Sequence, residues 1–240
     1  MRTGNPALAG DAFTGVDSYS RTDTMTIQGT VNKSLILLLL VFASASWVWR
    51  NPENLLPFLW PALIAGFIIA MVTIFKKEWA PVTAPIYALA EGVVLGCVSS
   101  FFEKAYPGIV TQAVGLTFGT LFALLLVYKS GLIKVTDNFR LGVFAATGGI
   151  ALYYFISIIL GFFGIRAPMI YDSGMLGIGF SVFVIIIAAL NLVLDFDYIE
   201  KASESGAPKY MEWYGAFALM VTLIWLYMEI LRLLSKMRRR

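Results

Sequence analysis

Histidine is absent from this 240-residue sequence, and cysteine occurs once, at Cys97. Those absences exclude His-based metal sites, Ser-His-Asp triads, CxxC redox pairs and intrachain disulfides. Because histidine is the usual group that titrates near neutrality, any pH response in that range falls to carboxylates set by burial or neighbouring charge. Charge is scarce as well. Only 14% of residues are Asp, Glu, Lys or Arg, where soluble domains carry about a quarter. The net charge of +3 is spread over loop ends and the C-terminus; it forms no nucleic-acid surface and reads as juxtamembrane anchoring. No EF-hand pattern or dense acidic loop offers the six to eight oxygens of a tight calcium site. The residue set implies no cofactor and no enzyme.

What the chain has instead is long apolar sequence, with 59% hydrophobic residues. Seven runs, over 33–49, 56–75, 82–102, 107–128, 139–164, 174–196 and 213–234, are each about the length that crosses a bilayer. In lipid the backbone must satisfy its own hydrogen bonds, so these runs are expected to be helices. The predicted fold class is all-α: a polytopic membrane helical bundle of seven transmembrane helices. Residues 1–32 read as a polar flexible tail, 33–236 as the transmembrane domain, and 237–240 as a basic tail. The first apolar run begins only at Leu35, so no cleavable secretory signal is expected. Short connections make consecutive helices antiparallel neighbours. The pairs Gly92/Gly96 and Gly115/Gly119 are spaced to let helix backbones approach closely in lipid.

Orientation follows from the basic residues. Lys76, Lys77, Lys129, Lys134, Arg140, Lys201 and Lys209 fall in connections on one side, against Arg50, Lys104 and Arg166 on the other. The positive-inside rule then puts the N-terminus in the cytoplasm. Seven spans would leave the basic C-terminus outside, in conflict with the same rule; either the last segment dips in and returns, or the topology is set upstream and the tail is tolerated.

Acidic residues within the spans are the functional candidates, because charge in lipid is costly. Asp195 and Asp197 end the sixth span, and residues two apart on a helix point roughly 200° from one another. Only one of them is expected to face the bundle interior. Asn191 lies one turn before Asp195 on its face, whereas Asp197 is spaced to pair with Lys201. Asp195 is therefore the inward candidate and Asp197 the interfacial one. Glu91 sits in the middle of the third span and must be protonated, paired or facing water. Glu229 and Arg232 are spaced as a local pair, and Asp172 as a helix cap. Lys76 ends the second span on the side where the sixth span ends, so it can approach Asp195 as a latch that protonation of the acid releases.

At these residues the chain resembles the Bax inhibitor, or YccA-like, family of bacterial and other membrane proteins. The resemblance rests on Leu194-Asp195-Phe196-Asp197-Tyr198-Ile199, Tyr87-Ala88-Leu89-Ala90-Glu91-Gly92 and Ile230-Leu231-Arg232. It implies six helices around a central seventh, a pH-sensitive calcium leak channel, and a sensor of two aspartates on the sixth and seventh helices. Asp195 matches the first aspartate and Lys76 the latch. Thr222 stands where the second aspartate is expected, so the two-carboxylate sensor is incomplete here. Calcium or another cation would be the permeant ion, passing Asp195, Asn191, hydroxyls and carbonyls that bind weakly enough to release it.

Other readings compete. A proton-coupled transporter also uses buried acids, although the two halves show no repeat. A non-transporting regulator of a membrane protease or other membrane protein fits the resemblance equally. An aspartyl protease would need Asp after Gly177-Ile178-Gly179, where Phe180 stands. The expected setting is a bacterial plasma membrane, with lipid as the surrounding partner and the protein a monomer.

Overall fold

The computed structural model describes residues 24–50, 56–164 and 168–239. The proposed flexible tail up to residue 23 and the breaks at residues 51–53 and 166–167 lie outside them. Seven long helices run through the described residues: α1 Ile27–Arg50, α2 Leu59–Phe75, α3 Ala80–Ala105, α4 Ile109–Lys129, α5 Asp137–Phe162, α6 Met175–Glu204 and α7 Met211–Arg238. A four-residue helix, Pro168–Tyr171, precedes α6. Six of the seven are long and apolar enough to cross a membrane, and α2, with 17 residues, is shorter. No strand occurs among the described residues, so the chain is a helical membrane bundle.

Helix α7 is the core of the bundle. It packs against α1, α3, α4 and α6, burying Ala216, Met220, Leu223, Leu226 and Leu231. Helices α2 and α5 are peripheral, the first resting mainly on α3 and the second on α6. Close approach between α1 and α3 depends on two glycines. A Cβ at Gly92 would fall 1.8 Å from Ser44 Oγ, and one at Gly96 would fall 2.7 Å from the Ala45 carbonyl oxygen. The second small-residue pair behaves differently, because Gly115 and Gly119 face open space with no neighbour within 4 Å. Their spacing is that of a helix contact, but among the described residues nothing packs against these two positions.

Two ends differ from the hydropathy reading. Helix α6 continues eight residues past 196, since Asp197–Glu204 contains no helix breaker until Gly206 turns the chain at φ +69°. Helix α7 is a single helix of 28 residues, roughly 42 Å long at 1.5 Å per residue. It crosses the layer rather than dipping and returning, so the basic C-terminal end lies on the face opposite the start of α1.

The ordered fold also begins before residue 33. The Met25 amide donates to the Ala207 carbonyl at 2.7 Å, and Thr24 bridges to Pro208. Their anchor is Glu212, which is fully buried in the first turn of α7. Its carboxylate accepts from the Thr26 amide at 3.0 Å and the Thr26 hydroxyl at 2.9 Å. It also pairs with Lys33 at 2.7 Å and Lys209 at 2.8 Å. Gly29 leaves room for it, since a Cβ there would fall 2.0 Å from the Glu212 Oε1. Glu212→Ala would strand the Thr26 donors at a buried site. The expected cost is about 1–3 kcal/mol, read as a lowered melting temperature in detergent with earlier proteolytic release of the N-terminal segment.

Candidate functional site

A cavity of about 1,100 Å³ opens at the end of the bundle where α6 finishes and α7 begins. Asn191, Asp195 and Asp197 of α6 line it, with Arg140 of α5, Tyr214 of α7 and Lys77. The two aspartates border the same cavity but meet different neighbours, as their angular separation on the helix requires.

Asp197 is 8% exposed, more buried than an interfacial residue was expected to be. Arg140 explains the difference: its guanidinium lies 2.6 Å from Asp197 Oδ2. Lys201 supplies the second cation at 2.8 Å, in the i, i+4 arrangement anticipated from spacing. Sequence reasoning placed Arg140 among loop charges, because nothing in its local pattern shows that α5 sits beside the end of α6. Asn191 is occupied by structural bonds. Its amide nitrogen donates at 2.8 Å to the Thr147 hydroxyl on α5 and at 2.8 Å to the Ile187 carbonyl on its own helix.

Asp195 has less support, with the Thr222 hydroxyl as its side-chain hydrogen-bonding neighbour. Among the described residues no cation pairs with it, and its Oδ2 is buried with no hydrogen-bond partner. Thr222 of α7 stands beside the carboxyl group, with its own hydroxyl donating to the Ala218 carbonyl at 3.3 Å. The position expected to carry a second carboxylate therefore does face Asp195, and a hydroxyl fills it. Deeper in the bundle the α6–α7 seam is apolar: Ala188, Leu192 and Leu226 are fully buried, with Met220 and Leu223 packed in the same cluster.

Lys76 is not placed at Asp195 in this structure. Helix α2 ends at Phe75, and Lys76 takes a non-helical conformation of φ −123°, ψ 74°. Its ammonium consequently lies over the Trp79 ring, 4.6 Å from the centroid. The adjacent Lys77 lines the cavity instead and lies 5.2 Å from the Tyr214 ring centroid. Glu91 is not brought to the cavity either. It faces α2, where a Cβ on Gly66 would fall 3.3 Å from its Oε1, and Tyr87 one turn earlier is its hydrogen-bonding neighbour.

The opposite end of α7 holds a second polar cluster. Arg232 pairs with Glu229 at 2.7 Å, as spacing predicted, and both bond the Tyr154 hydroxyl of α5. Lys236, 5% exposed, donates to the Met169 and Gly177 carbonyls and to the Ser181 hydroxyl at 2.8–3.0 Å. No sequence signal separated it from the basic tail. Asp172 does not cap α6: the N-cap is Gly174, with no side-chain cap bond. The Asp172 backbone packs on Gly177, whose Cβ would fall 2.1 Å from the Asp172 carbonyl oxygen.

A family model described as Bax inhibitor 1 like matches residues 5–239. The chain belongs to this family. No curated protein and no solved structure matches it. Membership, together with the apolar helices, makes the chain an integral membrane protein. It also gives the Asp195–Thr222 juxtaposition its interest, because this chain presents only one acid at that α6–α7 contact.

Arg140 and Asp197 are expected to behave as one unit. Arg140→Ala and Asp197→Asn, made singly and together, should show a coupling of about 0.5–3 kcal/mol in thermal unfolding. Additive losses would mean that the ion pair does not hold α5 to α6.

Proposed function

We propose that this protein is a proton-controlled cation leak of the membrane, with Asp195 as its proton-binding group and calcium or a similar cation as the permeant ion. The observation that carries the reading is the buried, unpartnered Oδ2 of Asp195 at a cavity open to one side of the bundle. A carboxylate oxygen taken from water without a partner is costly, and either a proton or a passing cation relieves that cost. The other cavity carboxylate is already matched, because Arg140 and Lys201 both hold Asp197. Asp195 is thus the acid whose interactions change most with its protonation state.

The apolar α6–α7 seam is the barrier in this arrangement. Loss or gain of one charge beside Thr222 alters how α6 and α7 pack, and separation of the two helices near Leu192 would admit water. In this reading Asn191 and Lys77 shape the cavity, Asp197 fixes α6 against α5, and Glu91 supports the α2–α3 contact. The protein catalyses no reaction. It acts as a monomer in a bacterial plasma membrane with its N-terminus in the cytoplasm, an orientation favoured by the seven basic residues in connections on that side.

Purified protein in liposomes loaded with a calcium-sensitive dye tests the proposal. Cation entry is expected to vary with pH in the wild type, and Asp195→Asn, which keeps shape but cannot ionise, should flatten that dependence. Leu192→Ala, which opens space in the seam at a stability cost of about 2–5 kcal/mol, should raise the basal leak. Lys76→Ala should leave flux unchanged. An Asp195→Asn profile identical to wild type would remove Asp195 from the mechanism. Flux that requires a second solute would indicate a coupled transporter, and no flux at any pH would indicate a regulator of another membrane protein.

A further inference from the structure

On the face away from the aspartate cavity, α1 and α4 each pack on α7 and α3 without packing extensively on one another. The gap between them is a crevice of about 550 Å³ floored by α3 and α7. Its lining runs along one face of α1 from Leu38 to Arg50, a rise of roughly 18 Å at 1.5 Å per residue. It is therefore elongated along the membrane normal.

The lining chemistry is divided by depth. Its inner part is apolar, with Val41, Phe42, Leu95, Val114 and Leu223 among the walls. Three of the hydroxyls that reach it are bonded within the protein: Ser99 and Tyr227 pair at 2.6 Å, and Thr117 donates to the Ala113 carbonyl at 2.8 Å; Ser46 and Thr111 add two more hydroxyls to a lining that is otherwise mostly apolar. At the outer end stand Trp49 and Arg50, the combination that marks a membrane–water interface. No acidic residue lines the crevice, and among the described residues Arg50 has no carboxylate partner. The nearby Glu103 is taken up by the α4 N-terminus, accepting from the Gly108 amide at 2.5 Å and the Val110 amide at 3.1 Å.

We infer that this crevice is a binding site for one anionic phospholipid, with an acyl chain lying between α1 and α4 and the phosphate on the Arg50 guanidinium. The charge at the mouth selects an anion, the depth and mostly apolar walls select a hydrocarbon chain, and the lateral opening faces the hydrocarbon in which such chains are present. The site is independent of the Asp195 cavity. A chain seated there supplies the packing that α1 and α4 do not give each other.

Native mass spectrometry of the full-length protein, titrated with phosphatidylglycerol and with phosphatidylcholine of the same acyl chains, tests the assignment. The wild type is expected to retain one phosphatidylglycerol about fivefold more tightly than phosphatidylcholine. Arg50→Gln, a change at an exposed position, should remove that preference and leave weak binding of both lipids. Val114→Trp, which fills the crevice and leaves Arg50 in place, should abolish retention of both. Equal affinity of the wild type for the two lipids overturns the proposal, as does an undiminished preference in Arg50→Gln or full retention in Val114→Trp. A second copy of the chain retained in place of lipid overturns it too.

Discussion

Lipid offers no donors and no counter-ions, so each carboxylate carried into this bundle has to find them within the protein. That constraint organises both ends of α7. At one end Glu212 gathers Lys33, Lys209 and Thr26, locking the start of α1 to the start of α7. At the other, Glu229 shares Arg232 and Tyr154 and links α7 to α5, while Lys236 draws α7 onto the start of α6. Asp197 fastens α6 to α5 through Arg140. Four anchored points leave little freedom for α6 and α7 to slide, and between them lies Asp195, the one acid on this seam with neither a cation nor a donor on its Oδ2. In the proposed leak, a change of charge there would be met by a local parting of two helices held at their ends rather than by a shift of the whole bundle.

Packing decides where that parting can go. Helices α1 and α3 meet at backbone distance through Gly92 and Gly96 and leave no seam that a single methyl group would not disturb. The α6–α7 seam is built differently, from long flexible side chains such as Leu192, Met220 and Leu223. Such side chains change rotamer without moving backbone, so the weaker boundary is the one next to Asp195. Cavity, unpaired acid and deformable apolar barrier thus lie in series along one helix pair.

The sequence carried the fold to a high degree because its governing rule is local. Apolar runs of membrane-spanning length located all seven helices, and spacing alone found the Asp197–Lys201 and Glu229–Arg232 pairs, since both partners of each sit on one helix. What it could not carry was contact between distant segments. Arg140 meets Asp197 only because α5 packs on α6, Glu212 meets Thr26 across 186 positions, and Lys236 is buried where it meets Met169 of the short helix and Gly177 and Ser181 of α6. The position of Lys76 away from Asp195 has a subtler cause. One non-helical residue after α2 turns its side chain onto Trp79 and delivers Lys77 to the cavity, a rotation that hydropathy does not record.

The replacement of a second carboxylate by Thr222 changes the character of any proton response. Two acids in contact titrate as a coupled pair, with the first proton shared and the second set by like-charge repulsion, so their response spreads over two macroscopic steps. Asp195 has no such companion: Asp197 leaves α6 in another direction and is neutralised by two cations, and Glu91 lies on the α2–α3 interface. The Thr222 hydroxyl, donating to Ala218, adds no charge in either state. A single isolated carboxyl group binds one proton in one step, so the pH dependence of a gate built on it can be no steeper than a one-proton titration curve. The force that would drive such a gate is the cost of a charge with one unpartnered oxygen beside an apolar seam, which a proton would relieve.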